Sequence, residues 1–385
     1  MRKLFADRVT TVRDEMPTRQ ARAGQYTPAM SGRTKPKLHE ALATMSPGTP
    51  LREGLDRIVR AHMGALVVLG DHDDVLSICS GGFQLDAPFS PQRLYELAKM
   101  DGAIIISRDI SRLTLANVHL VPEPTIPTSE TGTRHRTAER VARSLDVPVI
   151  SVSEDMRMIA VYVGDVKHTI EEIPRLLNRT TQATQTLERY KARLDEATAA
   201  LSALEIDDLV TLRDVVTQLQ RSELVRRVAD EIATYTVELG SEARLIRLQM
   251  DELMSGIDDD REAVIADYLA DHRDTAVDAA LDRLSHLTDD DLLDLSAVAE
   301  VLGPEFCGSL DAAVHPRGGR LLRSMPQLPV EVTARLIHRY GNLAALRRAS
   351  TSELTRTAGL DPSIAAAVEE ALRRITESSI LGRYV

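Results

Sequence analysis

From Ile173 to Leu204 the chain sets Ile173, Leu176, Thr180, Ala183, Leu187, Tyr190, Leu194, Ala197, Leu201 and Leu204 at steps of three and four in strict alternation. An α-helix puts all of these positions on one stripe, and a stripe of that length has to be covered by other helices. Thr180 and the two alanines weaken it as the seam of an isolated two-stranded coil, so the expected role is the spine of a helical bundle. Leu209, Leu212, Val216 and Leu219, and then Ile246, Met250 and Leu253, repeat the helical period and extend this all-α region over residues 166–310. The acidic triplets Asp258–Asp260 and Asp289–Asp291 read as solvated helix starts, where negative charge favours the dipole end.

N-terminal to that spine the pattern changes. Ala65–Leu69, Ala103–Ser107, Pro148–Ser153 and Met158–Val163 are short runs, mostly apolar on consecutive positions, the signature of strands buried on both faces. Amphipathic helical segments at Pro91–Met100 and Arg136–Leu145 separate them, so residues 39–165 are expected to form an α/β domain. Residues 1–38 carry scattered Arg and Lys, five Thr and the breakers Pro17, Gly24, Pro28, Gly32 and Pro36, which predicts a mobile basic tail or an arm docked on a neighbouring subunit.

Aromatic residues make up only 3% of the chain and Trp is absent, a mix that favours helix over a β-sandwich or barrel. No apolar run approaches the ~18 residues of a membrane span, and the N-terminus lacks the apolar core of a signal peptide, so a cytoplasmic protein without membrane contact is expected. Cys79 and Cys307 are too few for a disulfide framework and too far apart for a zinc pattern, which suits a reducing compartment. The net charge is −11, yet residues 315–385 hold eleven Arg against six acidic residues. Guanidinium groups clamp phosphates, so residues 311–385 are the natural DNA-facing module of a chain that would otherwise repel nucleic acid.

Two clusters in the α/β part can carry chemistry. Asp101-Gly102-Ala103 sits where a buried strand begins: the glycine permits close backbone approach by a ligand, and the aspartate offers a carboxylate to a divalent ion or a hydroxyl proton. A structural Asp-Gly turn is the competing explanation. Thr131-Gly-Thr-Arg-His-Arg-Thr137 joins a glycine turn to two guanidiniums and an imidazole at a helix N-terminus, a place that attracts phosphate. Its plain alternative is a surface loop whose basic residues pair with Glu130 and Glu139. Ser153-Glu154 ends a buried strand and brings a second carboxylate, or is simply a turn. No P-loop, Gly-x-Gly-x-x-Gly or kinase signature occurs.

Taken in order, Gly64–Gly70, Gly81-Gly-Phe83, Asp101-Gly-Ala103, Gly132-Thr-Arg-His-Arg-Thr137 and Ser151-Val-Ser-Glu154 resemble the DisA family of DNA-integrity-scanning diadenylate cyclases over residues 39–385. The resemblance implies an α/β cyclase domain with a mixed central sheet, an all-α spine and a small helix-hairpin-helix domain. It also implies condensation of two ATP into cyclic di-AMP and two pyrophosphates across a face-to-face dimer, within a homo-octamer. By that similarity Asp101 holds Mg²⁺ or Mn²⁺ and helps deprotonate the ribose 3′-hydroxyl, with Glu154 as a second metal contact. Thr133, Arg134, His135 and Arg136 bind the triphosphate, Leu120 and the Gly102 backbone lie near the adenine, Ser153 lies near phosphate or ribose, and Ala103, Gly132 and Thr137 also belong to the nucleotide site.

The same resemblance predicts two DNA-gripping hairpins, Leu321–Pro329 before a helix at Val332–Tyr340 and Leu354–Pro362 before one at Ile364–Leu372. Both depart from the usual Gly-hydrophobic-Gly turn: Pro326-Gln-Leu-Pro329 lacks both glycines, and Gly359-Leu-Asp361 has an acid in place of the second. Arg320, Arg323, Arg347 and Arg348 are therefore expected to carry binding to branched DNA such as Holliday junctions, which lowers cyclase output and places the protein on the nucleoid. The rival reading is a non-catalytic DNA-junction scaffold whose α/β domain senses a nucleotide.

Overall fold

The structure is a computed structural model that describes residues 34–269, 273–306, 308–323, 328–358 and 360–381. It opens on two helices, α1 (Thr34–Thr44) and α2 (Pro50–Arg60). The segment expected to be a tail is thus helical from Thr34, because Leu38, Ala41, Leu42 and Met45 pack on the domain core. Residues 1–33, which carry the rest of that expectation, lie outside the described part. Thr49 caps α2, its hydroxyl accepting the Arg52 N–H at 3.2 Å, and Pro50 occupies a first-turn position.

The α/β domain continues through β1 (Ala65–Leu69), α3 (Asp73–Ser77), β2 (Cys79–Ser80), β3 (Phe83–Pro88), α4 (Pro91–Leu97), β4 (Ala103–Ile106), β5 (Arg112–Leu120), α5 (Thr133–Leu145), β6 (Val149–Val152), β7 (Ile159–Val163) and β8 (Val166–Thr169). The strands form one sheet in the order β2-β5-β4-β1-β6-β7-β8, with β3 also pairing on β5. β1 runs parallel to β4 and the other pairings are antiparallel, so the sheet is mixed. Alternate side chains of β1, β4, β6 and β7 feed two cores. Val67, Ile104, Ile150 and Val161 meet Leu42, Leu55, Ile58 and Leu94 of α1, α2 and α4. Val68, Ile105, Val149 and Tyr162 meet Ala138, Val141 and Ala142 of α5 on the other side. β8 pairs with β7 from Val166 to Thr169, so this domain runs past the boundary expected at residue 165.

Two long antiparallel helices, α6 (Ile173–Asp207) and α7 (Leu212–Leu239), form the spine. Leu176, Thr180, Leu187, Leu194 and Leu201 of the heptad stripe are buried, and Val215, Val225, Ala229 and Ile232 supply the facing surface from α7. Thr211 and Asp214 form a capping box that starts α7. Around this pair pack α8 (Arg244–Met254), α9 (Ile257–Tyr268), α10 (Asp274–His286), α11 (Asp289–Leu293) and α12 (Leu295–Glu300). Asp258–Asp260 and Asp289–Asp291 do fall in first helical turns. The spine's far end also includes residues beyond 310, since Thr211 bridges Ala313 and Val314 donates to the Val210 carbonyl. The other end of α7 reaches into the α/β domain, where the Glu238 carboxylate lies 2.7 Å from His168 Nε2 and accepts the Glu171 N–H at 2.8 Å.

The C-terminal helices are α13 (Gly319–Arg323), α14 (Val330–Tyr340), α15 (Leu343–Arg347), α16 (Thr351–Ala358) and α17 (Pro362–Leu381). Their own core, with Leu322, Leu336, Leu346, Leu354 and Val368, takes in Ile206 from the end of α6. Helix pairs α13/α14 and α16/α17 stand where the two hairpins are expected; the first turn, residues 324–327, and Gly359 of the second lie outside the described residues. Among the described residues no helix is long and apolar enough to cross a membrane.

Candidate active site

One edge of the sheet gathers the chemistry-bearing residues. β1 and β4 run parallel with Leu66 beside Ala103, so Gly64 and the Asp101-Gly102 turn precede their strands at the same edge. β6 runs the other way with Val152 beside Ala65, which brings its last residue, and Ser153-Glu154 after it, to that edge as well. Ala103 pairs with Val118 of antiparallel β5, and Leu120, the last residue of β5, is buried and pairs with Cys79 of β2.

Gly102 is required by close approach. A Cβ there would fall 2.6 Å from the Asn117 backbone, and Asn117 itself is a left-handed residue at φ 53° that bulges β5 toward the turn. Ser153 closes the β6–β7 turn: its N–H donates to Met158 at 2.9 Å and its hydroxyl accepts the Met156 N–H at 3.3 Å. The turn alternative for Ser153-Glu154 is what the backbone does, and it leaves the Glu154 carboxylate exposed at the shared edge.

The Thr131–Thr137 cluster forms the start of α5. Gly132 is the N-cap and supplies no side-chain partner, so no cap side chain occupies the first-turn N–H groups of the helix. Arg134, at the second position, lies flat against β1's approach: a Cβ on Gly64 would sit 2.1 Å from its Nη1 and 2.6 Å from its Cζ. From there its Nη2 reaches Asp101 Oδ1 at 3.4 Å, while the Asp101 side chain stays 99% exposed. Arg136 donates to the Glu130 and Thr131 carbonyls at 3.4 and 3.3 Å and stiffens the loop ahead of the helix. Thr137 returns its hydroxyl proton to the Thr133 carbonyl.

The plain loop alternative, ion pairing with Glu130 and Glu139, is not what these side chains do. Glu139 is buried against Thr128, the Ser129 N–H and Arg143, and the Glu130 carboxylate is taken by Lys167 and Tyr162. His135 turns inward, with Nδ1 2.9 Å from the Tyr162 hydroxyl. Burial pushes its pKa below the ordinary histidine value, and Lys167 and Arg134 add to this against the pull of Glu130. Burial alone would raise Glu130, but the hydrogen bonds from Lys167 and Tyr162 outweigh it and leave the carboxyl below its usual range. Glu130 was visible only as a loop partner for the basic cluster, and Tyr162 and Lys167 carry no sequence signal: Tyr162 lies 27 residues from His135 and meets it only because β7 and α5 pack together. Gly64 was visible as a motif glycine without a role; the Arg134 guanidinium supplies one.

The arginines expected to face DNA divide. Arg320 is turned inward, its side chain 6% exposed against Glu205 at 1%, with Ser202 at 2.8 Å and Asp260 at 3.5 Å completing its contacts. It is a spine contact and cannot reach a phosphate, because three acceptors of α6 and α9 claim its guanidinium. Arg323 is half exposed and 3.9 Å from Glu262, and Arg347 and Arg348 are exposed at the end of α15. Asp361 serves structure: its carboxylate accepts the Ser363 N–H at 2.9 Å and hydroxyl at 2.7 Å, and its carbonyl begins α17.

Two family models match the chain: "DisA bacterial checkpoint controller nucleotide-binding" over residues 52–166 and "DisA bacterial checkpoint controller linker region" over residues 170–307. Their boundary falls at β8 and the start of α6. The chain is similar to the DNA integrity scanning protein DisA of Kineococcus radiotolerans, 53% identical over 90% of this chain and 98% of the relative. The DisA proteins of Acidothermus cellulolyticus and Streptomyces coelicolor follow at 51% over 91% and 96%, and at 49% over 90% and 94%, of this chain and the relative. With identity at this level along nine-tenths of its length, the chain belongs to the DisA family of DNA integrity scanning proteins.

Proposed function

We propose that the protein is a diadenylate cyclase that joins two ATP into cyclic di-AMP with release of two pyrophosphates. The observation that carries this reading is the Arg134 guanidinium pressed onto Gly64 within 3.4 Å of the exposed Asp101 carboxylate, beside the free N-terminus of α5. Phosphoryl-type transfer needs positioning and charge neutralisation more than covalent chemistry from the protein. The first-turn N–H groups of α5, Thr133, Arg134 and Arg136 hold the triphosphate; the Gly102 backbone and the buried Leu120 limit the adenine side; Ser153 faces phosphate or ribose.

In each half-reaction one ribose 3′-oxygen bonds to the α-phosphorus of the other nucleotide, the bond to pyrophosphate breaks, and the hydroxyl proton leaves toward the Asp101 side. One site holds one ATP, so two copies of this edge face each other, and the exposure of Asp101 and Glu154 fits a site completed by a second subunit. The wider assembly is a homo-octamer. Among the described residues no cluster of three or more His, Cys, Asp or Glu side chains is set to hold a metal. Mg²⁺ and its like bind through one or two carboxylates plus substrate phosphates, which suits Asp101 and Glu154 at one sheet edge. Bound there, Mg²⁺ or Mn²⁺ supplies charge neutralisation at the phosphates.

The relatives' description as DNA integrity scanning proteins supports a second activity, binding of branched DNA through the C-terminal helix pairs, with Arg323, Arg347 and Arg348 as phosphate contacts and lowered cyclase output as the consequence. The test is incubation of the purified protein with ATP and Mg²⁺ or Mn²⁺, with and without a four-way DNA junction, followed by mass analysis of the nucleotides. Cyclic di-AMP that falls on adding the junction is expected. A junction bound without product under any condition would make the protein a scaffold.

A further inference from the structure

The hydrogen bonds behind His135 determine which of its nitrogens carries the proton. Glu130 Oε1 accepts from Lys167 Nζ at 2.5 Å and from the Tyr162 hydroxyl at 3.1 Å. An ionised carboxylate can only accept, so the single Tyr162 proton is committed to Glu130. The Tyr162 oxygen then has only lone pairs to offer His135 Nδ1, 2.9 Å away, and that nitrogen must be the donor. The Cδ2 edge of the ring, next to Nε2, lies toward Gly132, where an added Cβ would come within 3.6 Å. Nε2 is therefore on the side of the turn that opens α5.

We propose that Tyr162 and Glu130 are positioning residues that hold His135 with its proton on Nδ1, so that Nε2 presents a lone pair, and not a proton, to the nucleotide edge. His135 then differs in kind from Arg134 and Arg136 on either side of it. They offer donors to phosphate; it offers an acceptor to an electron-poor partner, a hydroxyl proton or a cation. The groups facing the ring agree with a neutral imidazole: burial by β7 and α5, the Arg134 charge beside it and Lys167 beyond Tyr162 all disfavour a second proton, and only Glu130 favours one. For its catalytic consequence the proposal rests on the cyclase reading above; for the tautomer it does not.

The experiment is ¹⁵N spectroscopy of the full-length protein labelled on histidine, with the His135 signal identified by its loss in His135→Asn. A protonated Nδ1 and unprotonated Nε2 at neutral pH are expected. Glu130→Ala frees the Tyr162 proton to turn toward the ring, and the spectrum should switch to the Nε2–H form. Tyr162→Phe removes only a hydroxyl; it should lower kcat about 10- to 100-fold, as loss of an outer-shell partner does, with little change in the KM for ATP. A wild-type ring protonated on Nε2, a tautomer unchanged in Glu130→Ala, or an unchanged kcat in Tyr162→Phe overturns the proposal. If the wild type shows the expected tautomer and the expected switch but makes no cyclic dinucleotide, the hydrogen-bond assignment stands and the cyclase reading falls.

Discussion

Arg134 reaches Asp101 from one side, and the Asp101 side chain is otherwise open to solvent at 99% exposure. An ion pair at 3.4 Å in that setting does little for the fold, since exposed pairs are solvated and screened. Under the proposed cyclase reading, its place serves chemistry at the sheet edge. Asp101→Asn is accordingly expected to abolish product while leaving the thermal midpoint and the oligomer unchanged, as read by nucleotide mass analysis, a melting curve and size-exclusion chromatography. Full activity of the variant would remove Asp101 from the reaction.

Gly64 and Gly102 are both crowded, but by different things. At Gly64 an added methyl meets the end of the Arg134 side chain, which can swing away; at Gly102 it meets the Asn117 backbone, which cannot. Gly64→Ala should therefore fold normally and raise the KM for ATP, because it displaces the guanidinium. Gly102→Ala should lose stability, by about 1–3 kcal/mol if it behaves like other overpacked sites. Denaturant unfolding and steady-state kinetics on both variants check this; equal stability loss in the two would remove the distinction.

These contrasts show where sequence was informative. β1, β4, β6 and β7 were legible because each is apolar on consecutive positions and buried on both faces. β3 was not, since almost all of Phe83–Pro88 is exposed, and β5 was not, since the left-handed Asn117 breaks its alternation. Glycine and arginine motifs pointed to the candidate edge, yet the residues behind His135 come from β7, β8 and a loop, and only packing joins them. The C-terminal arginines were legible as a charge excess, but composition cannot separate Arg347, on the surface, from Arg320, enclosed by α6 and α9.

Arg347 and Arg348 stand exposed side by side at the end of a short helix. If they contact phosphates, Arg347→Ala and Arg348→Ala should each weaken junction binding uniformly across sequences and lower the slope of log K against log salt by about 1. Neither should alter stability or DNA-free cyclase activity. Unchanged affinity and slope in the double variant would place the DNA contacts elsewhere.

Arg320 should behave in the opposite way. Among the described residues, its removal leaves the buried Glu205 carboxylate with the Tyr268 hydroxyl, 2.8 Å away, as its remaining side-chain partner. Breaking a buried pair from one side costs about 3–5 kcal/mol, whereas neutralising both sides costs far less. Arg320→Met is expected to destabilise the C-terminal helices by that order, and Arg320→Met with Glu205→Gln to recover most of the loss, in denaturant unfolding followed by circular dichroism. A single variant as stable as the wild type would mean the pair is not closed in solution.

The same junction should respond to pH through Asp267. Its buried carboxylate accepts the Gly319 N–H at 2.8 Å and the Arg320 N–H at 3.0 Å and so caps α13. Burial, with Glu205 nearby, outweighs those hydrogen bonds and the Arg320 charge, and its pKa is pushed up to about 6 from 3.8. A carboxyl raised by folding binds its proton more tightly in the folded state. Its contribution is complete below the unfolded value of 3.8 and is lost as pH rises through about 6, a change on the order of 3 kcal/mol. Unfolding measured from about pH 3.5 to 7.5 should show the C-terminal helices losing stability from about pH 3.8 to about 6, with no further loss from this group above it, in the wild type. Asp267→Asn, which cannot titrate, should flatten this component. An identical pH dependence in the two proteins would show that Asp267 keeps an ordinary carboxylate pKa, and that the α13 cap is charged throughout.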